Sequence, residues 1–234
     1  MKTSLHAPLL VLVAALVPPA QAEPPAQPHA PGIESKGYVW NQQDPELARL
    51  LARKGDPDKG KISYEICRGC HKADAAGKPE AGYPQLAGQH PAVLIKQMVD
   101  VRAGRRDSPK MHPFIEHDVV ASNELADIAA YLHGLPVPAS NGKGDGRQPD
   151  LGRHLYDRDC ASCHGAHGEG DGAKFYPRVA GQHYNYLYRE TLESRDKGRR
   201  NSNPEMVMVL KHYVDSDVAA VSDYMSRLVP PAKP

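Results

Sequence analysis

Two five-residue stretches, Cys67-Arg68-Gly69-Cys70-His71 and Cys160-Ala161-Ser162-Cys163-His164, share one pattern of two cysteines and a following histidine. Thiols three positions apart lie about one helical turn apart, so both can reach the two vinyl groups of one porphyrin. The next residue then presents an imidazole to the iron, and Cys-x-x-Cys-His is the attachment pattern of c-type haem. The pattern predicts two covalently bound haems c, with four attached cysteines and two iron-ligating histidines: Cys67, Cys70, Cys160, Cys163, His71 and His164.

Three other interpretations of the cysteine pairs are open. A Cys-x-x-Cys pair can be a dithiol redox motif, two pairs can build a four-thiolate zinc site, and an oxidising compartment permits disulfides. None of these explains why a histidine follows both second cysteines. The chain has four cysteines in all, so disulfides would close strained short loops. Haem attachment is the interpretation that uses every residue of the pattern.

The first 22 residues have the features of a secretory signal peptide. Lys2 is the positive residue, Leu9 to Val17 is an uncharged apolar run, and Ala20-Gln21-Ala22 fits a cleavage site. The run is too short to cross a bilayer, which takes about 20 residues. We therefore expect export to the periplasm, where c-type haem is attached in bacteria, and no transmembrane span in the mature chain.

The charge balance and the composition narrow the class of protein. The chain has 29 basic and 28 acidic residues, and loss of Lys2 with the leader makes these numbers equal. A chain near neutrality gives no indication of nucleic acid or an anionic membrane as partner. Only 6% of residues are aromatic, which is few for the core of a small domain. A covalently held haem would complete each core.

The two halves of the chain repeat each other. Tyr83-Pro84-Gln85-Leu86-Ala87-Gly88-Gln89-His90 aligns with Tyr176-Pro177-Arg178-Val179-Ala180-Gly181-Gln182-His183 at the same offset as the cysteines, and six of the eight positions are identical. A tandem of two whole domains follows, because the period is longer than that of solenoid repeats. The predicted organisation is a signal peptide at 1–22, an extension with a short helix at 23–55, two haem-binding domains at 56–135 and 150–234, and a linker at 136–149.

The spacing of apolar residues is mostly that of helices, and no long stretch alternates apolar and polar residues as a strand would. In the extension, Asp44 is a predicted N-cap, Pro45 suits the first helical position, and Gly55 ends the helix. Each domain is predicted to contain a first helix carrying Cys-x-x-Cys-His, a middle helix and a last helix. Ser122 and Ser216 are candidate caps of the last helices. The predicted class is all-α.

The sixth ligand of each iron decides its chemistry, since a thioether raises the reduction potential and closes the iron to substrates. Ser108-Pro109-Lys110-Met111 aligns with Asn203-Pro204-Glu205-Met206, and both follow a Gly-Arg-Arg loop. This alignment predicts Met111 and Met206 as the ligands.

Other side chains compete for that position. Met208 is the rival in the second unit, because indels lie nearby, and His112 is the rival in the first. Met98 aligns with Thr191, and Met225 lies on a buried stripe, so both are predicted core residues.

Two further repeated features, a pair of histidines and a pair of basic clusters, are predicted to have structural roles. His90 and His183 are predicted to end a loop or cap the next helix. The basic clusters around Arg102–Arg106 and Arg195–Arg200 are predicted solvated loop faces; the alternative is that they neutralise haem propionates or meet an acidic partner.

The arrangement resembles the cytochrome c4 family, the dihaem, two-domain class I c-type cytochromes. The resemblance covers about residues 56–230 and rests on the two haem motifs, on Pro84–Gln89 and Pro177–Gln182, and on the Met loops. It implies a tandem pair of class I cytochrome c domains, each wrapped around a covalent haem. It also implies that the carbonyls of Pro84 and Pro177 hold the proximal imidazoles.

The resemblance implies a periplasmic protein that carries electrons between respiratory or oxidoreductase partners. The alternative is the haem subunit or catalytic component of a dihaem oxidoreductase, of the thiosulfate dehydrogenase or peroxidase type. Enzymatic haem needs an open or labile sixth position, or an unusual ligand such as Cys. Attachment uses all four cysteines and each unit offers a Met, so we predict a carrier and not an enzyme; an electron-accepting subunit is compatible with every residue.

Overall fold

The computed structural model describes residues 26–229, and the predicted signal peptide lies outside the described residues. Within this range the chain is helical, and its only β-type pairings are two isolated bridges, Lys78 with Tyr83 and Asp171 with Tyr176. None of the helices between residues 26 and 229 has the length and apolar character needed to cross a membrane. The predicted all-α class is confirmed.

The ten α-helices of the described range form two similar sets after an initial short helix. They are α1 (Pro45–Leu51), α2 (Pro57–Ser63), α3 (Arg68–His71), α4 (Pro91–Arg102), α5 (Ser122–Gly134), α6 (Pro149–Leu155), α7 (Ala161–His164), α8 (Tyr184–Arg195), α9 (Pro204–Leu210) and α10 (Asp215–Arg227). A 3₁₀ turn joins α2 to α3, and a π turn joins α6 to α7. Each haem motif therefore begins on an irregular turn and ends on a short helix.

In each unit the first helix crosses the last one closely. Gly60 of α2 faces α5, and a Cβ at this position would lie 1.9 Å from the carbonyl oxygen of Asp127. Gly152 of α6 faces α10, and its Cβ would lie 2.3 Å from the carbonyl oxygen of Ala220. Glycine is required here because two helix backbones approach more closely than a side chain permits.

Helix α1 confirms the prediction for the extension. The Asp44 side chain accepts a hydrogen bond from the backbone N–H of Leu47 at 2.8 Å, and Pro45 is the first helical residue. Leu47 and Leu50 are fully buried against α4 and α5. The helix ends at Leu51, earlier than the predicted end at Gly55.

The predicted caps of the last helices are wrong. The residue that precedes α5 is Ala121, whose N–H is bound by the carboxylate of Glu124 at 2.7 Å. Val214 precedes α10, and its N–H is bound by Asp217 at 3.1 Å. An acid at the third helical position reaches back to the N-terminus, so the serines are not needed as caps.

The basic clusters are not solvated faces as predicted. Arg102 is 5% exposed and binds the carbonyls of Ile115 and Val120. Arg106 of the first unit and Arg199 of the second both bind Glu190, at 2.9 and 2.6 Å. These arginines pair with groups of the chain itself, and several of the pairs join the two units.

We expect Gly60→Ala to destabilise the folded protein by roughly 1–3 kcal/mol, because the added methyl group overpacks the crossing of α2 and α5. Gly134→Ala is the matched control, since a Cβ there has no heavy atom within 4 Å. Guanidinium unfolding of the ferric protein measures both. Equal stability of the two variants would contradict the close crossing.

Candidate haem sites

The first site is formed where α3 stops. Cys67 ends the 3₁₀ turn, and Cys70 and His71 close α3. Lys72 then adopts a φ of 65°, which turns the chain away from the helix, and the N–H of Gly77 binds the carbonyl of His71 at 3.0 Å. The turn presents two thiols and an imidazole from one short segment.

The second site repeats this geometry. Gly165 has a φ of 83° after α7, and the N–H of Gly170 binds the carbonyl of His164 at 2.7 Å. Two buried tyrosines fix the corresponding turns: Tyr64 donates to the carbonyl of Lys72 at 3.0 Å, and Tyr156 donates to that of Gly165 at 2.6 Å.

Each histidine of the motifs is held by a proline carbonyl. His71 Nδ1 lies 3.1 Å from the oxygen of Pro84, and His164 Nδ1 lies 2.9 Å from that of Pro177. A carbonyl can only accept, so Nδ1 carries the proton and Nε2 keeps its lone pair. Nε2 is therefore the nitrogen available to a metal ion.

Burial favours the uncharged forms of the motif histidines and of the first cysteine in each motif. It lowers the pKa of His71 and of His164, an effect opposed by the hydrogen bonds to Pro84 and Pro177. Burial also raises the pKa of the Cys67 thiol to about 11 and that of Cys160 to about 12. All four cysteines are free, so each thiol is available for a thioether bond.

The predicted methionine ligands differ from their rival in burial. Met111 packs against the core of the first unit, and Met206 packs against that of the second. Met208 is 66% exposed. Met98 and Met225 are buried in the cores, as predicted. Met111 and Met206 stay predictions as ligands.

His112, the rival in the first unit, already has a partner. Its side chain is buried, and Nδ1 lies 3.2 Å from a carboxylate oxygen of Glu116. The neighbouring Met111 lies in the turn before the 3₁₀ helix His112–Phe114, whereas Met206 lies within α9. The sequence repeat did not reveal this difference between the two loops.

The two cysteine pairs remain separate. Among residues 26–229, no three histidine, cysteine, aspartate or glutamate side chains converge as metal ligands do. The four-thiolate zinc interpretation therefore has no support in the geometry. Paired free thiols, a neutral imidazole and a core-packed thioether in each unit fit covalent haem with nitrogen and sulfur axial ligands.

The loops that hold the imidazoles also join the two units. Gln182 binds the backbone of Gln85, accepting from its N–H and donating to its carbonyl, both at 2.9 Å. Gln89 makes the equivalent pair with the backbone of Arg178, at 2.9 and 3.0 Å. The two glutamines occupy matching positions in the repeat, so the contact has a pseudo-twofold axis.

The repeated histidines after these glutamines have the same role. His90 Nε2 lies 2.8 Å from the carbonyl of Glu169, and His183 Nε2 lies 2.6 Å from that of Ala76. His90 and His183 end the loops before α4 and α8, as the first of the two predicted alternatives has it, and neither side chain caps the helix that follows. The identity of Gln and His in both repeats was the available signal, but it did not indicate that the partners lie in the opposite unit.

Comparisons with known proteins agree with this geometry. The family model "Cytochrome c" matches residues 149–228. Cytochrome c4 of Thiocapsa roseopersicina is 31% identical, over 74% of this chain and 93% of that protein. The "Thiosulfate dehydrogenase electron acceptor" of Stutzerimonas stutzeri is 33% identical, over 69% and 78%. The crystal structure of reduced cytochrome c4 from Pseudomonas stutzeri superposes with a TM-score of 0.67 at 28% identity, covering 75% of this chain and all of that one.

The fold, the two sites and these relatives define a dihaem c-type cytochrome, a class of electron-transfer protein. More narrowly, the chain belongs to the cytochrome c4 family.

We expect the hydrogen bond from the linker residue Gly142 to His183 to be lost as the pH falls below about 6.5. Burial lowers the pKa of His183, and Nδ1 must stay unprotonated to accept from the N–H of Gly142 at 3.1 Å. The unfolded chain binds this proton at a higher pH than the folded chain, so the contribution to stability is complete above about 6.5 and lost below it. Unfolding of wild type and His183→Gln measures this at several pH values. The stability difference should shrink with acidification, and a constant difference would contradict the assignment.

Proposed function

We propose that this protein carries electrons in the periplasm between redox partners, through two closed haem irons. The proposed thioether and axial contacts are Cys67, Cys70, His71 and Met111 in the first unit, and Cys160, Cys163, His164 and Met206 in the second. Pro84 and Pro177 orient the two imidazoles. The units that carry them are the proposed domains at 56–135 and 150–234.

The observation that carries this proposal is the repeated hydrogen bond from histidine Nδ1 to a proline carbonyl, at 3.1 and 2.9 Å. It leaves Nε2 unprotonated in both units and fixes the plane of the ring. Haem supplies the one-electron chemistry when it is bound. The chain supplies a rigid ligand on one side and a thioether on the other, which favours the reduced iron and excludes substrates.

The packing of the methionines supports the same assignment. Met206 contacts the core of the second unit, and Met208 on the same helix points to solvent. A side chain that is to bind the iron would have to lie on the inner side of its unit, where the haem would be held. The proposal therefore takes Met206 as the second sulfur ligand.

Export to the periplasm belongs to the proposal. The sequence of residues 1–22 supports it through its basic start, apolar run and small-residue cleavage pattern. The partners are proposed to be a respiratory complex, an oxidase or a dehydrogenase.

We expect Met206→Ala to remove one of the two Met–iron bands in the far-red spectrum of the ferric protein and to lower one reduction potential, because a thioether stabilises ferrous iron. Met208→Ala is the matched control and should leave both quantities unchanged. A spectrum altered by Met208→Ala and not by Met206→Ala would transfer the ligand role to Met208.

A second candidate function is supported by the relative named as an electron acceptor of thiosulfate dehydrogenase. Here the chain would take electrons from that enzyme and would not itself act on thiosulfate. The dihaem oxidoreductase interpretation requires an open or labile sixth position, or an unusual ligand such as Cys. Each unit offers a Met for that position, and haem attachment would use all four cysteines.

Stopped-flow reduction of the ferric protein separates these functions. Thiosulfate with a purified thiosulfate dehydrogenase should reduce both haems if the second candidate is right, and thiosulfate alone should reduce neither. Rapid reduction by thiosulfate alone would place catalysis within this chain.

A further inference from the structure

Residues 26–44, which we call the strap, lie across both units before α1 begins. The first contact is made by Gln27, whose Nε2 donates to the carbonyls of Val101 and Arg106 at 2.8 and 2.7 Å. Its Oε1 accepts from the N–H of Ser108 at 2.9 Å. One strap side chain therefore binds three backbone groups, one in the last turn of α4 and two in the loop that follows it.

Backbone contacts continue on the same loop. The N–H of Ala30 donates to the carbonyl of Gly104 at 3.1 Å. Gly104 has a φ of 72°, and a Cβ there would lie 1.8 Å from the carbonyl oxygen of Pro28. The strap backbone thus lies directly against the loop, which only a glycine permits.

The strap then crosses to the second unit at Arg200. The N–H of Ile33 donates to the Arg200 carbonyl at 2.8 Å, and the Arg200 guanidinium binds Glu34 at 3.0 Å and the carbonyl of Ala30. This guanidinium is 8% exposed and also binds the Gly104 carbonyl at 3.0 Å. It lowers the pKa of Glu34 to about 2. Strap, first unit and second unit meet at this one side chain.

The two loops that the strap binds are the repeated Gly-Arg-Arg loops. The first, at Gly104–Arg106, leads through Ser108 to Met111. The second, at Gly198–Arg200, leads into α9 and Met206. The strap therefore holds the segment before each proposed sulfur ligand.

The far end of the strap reaches the second haem site. The ring of Trp40 stacks on that of Tyr176, with centroids 6.1 Å apart and planes 5° from parallel, and Phe175 meets it edge-on. Tyr176 directly precedes Pro177, whose carbonyl holds His164. The Nζ atom of Lys96, in the first unit, lies over the ring of Trp40, 5.7 Å from the ring centroid.

We propose that the strap braces both methionine loops and so keeps each sulfur on its iron, limiting the entry of external ligands. This inference rests on the proposed ligation by Met111 and Met206. A methionine leaves the iron only when its loop opens locally, and the free energy of that opening depends on the contacts that hold the loop. The strap supplies hydrogen bonds to both loops from outside the repeated domains.

The consequence is a cytochrome whose closed state is maintained by its own N-terminal segment. Deleting strap contacts should increase the frequency of loop opening without changing the axial ligands of the resting protein. This separates a bracing role from a role in ligation.

The test uses the ferric holoprotein with Gln27→Ala and, as matched control, Val39→Ala, a strap residue that is 52% exposed. Gln27→Ala should increase the rate of cyanide binding at one haem at least about tenfold, since three hydrogen bonds to backbone groups are lost and each has an effect of about two- to tenfold. Hydrogen exchange should increase at 101–111. Val39→Ala should alter neither.

Trp40→Ala tests the second end of the strap. It should increase cyanide binding at the other haem, and Trp40→Phe should restore the wild-type rate through its remaining stacking on Tyr176. Because Trp40 is the one tryptophan of the chain, its fluorescence in Gln27→Ala also reports strap release, as a change from the wild-type intensity.

Two failures are distinguishable. If the wild-type protein lacks the far-red Met–iron band, the proposed ligation fails, and hydrogen exchange still tests bracing of the loops. The second failure can occur with the band present. If Gln27→Ala and Trp40→Ala then show the same cyanide-binding rates and the same hydrogen exchange as Val39→Ala, the strap does not brace the loops. That result overturns the inference.

Discussion

A buried imidazole can offer a metal only the nitrogen that its surroundings leave free of a proton. In both units a proline carbonyl takes the proton of histidine Nδ1, at 3.1 Å from His71 and 2.9 Å from His164. The remaining geometry follows from this constraint. The loop that carries each proline must return to the end of the short haem-motif helix, so its length and its glycine turns are fixed by the position of the ring.

The same loop connects the two sites. Pro84 is followed by Gln85, whose backbone is bound by Gln182, and by Gln89, which binds the backbone of Arg178 in return. A rigid imidazole and a rigid contact between units are therefore built from one short segment in each half. This shared use of one segment would matter for electron transfer, because the rate of electron transfer between two haems depends steeply on their separation and orientation. A contact anchored beside both of the proposed iron-ligating histidines limits variation in the separation and in the orientation.

Local sequence signals predicted the local structure well. The Asp44 cap of α1 and the burial of Met225 on the last helix depend on neighbouring residues, and both are found as predicted. The predicted Ser122 and Ser216 caps were wrong because the acids at the third helical positions bind the same N–H groups. The interactions between units were not predictable from spacing. Arg106 and Arg199 resemble any solvated basic cluster until the fold places Glu190 between them, and Gln27 shows no pattern that indicates three backbone partners far along the chain.

The measurement that tests the account most directly is the optical spectrum of the purified ferric protein, with and without cyanide, followed by a reductive titration. The account predicts two low-spin haems per chain, the weak far-red band of methionine ligation, slow cyanide binding and two one-electron reductions. A high-spin iron, or immediate cyanide binding at either haem, would contradict a pair of closed electron-transfer sites and would indicate an open iron capable of catalysis.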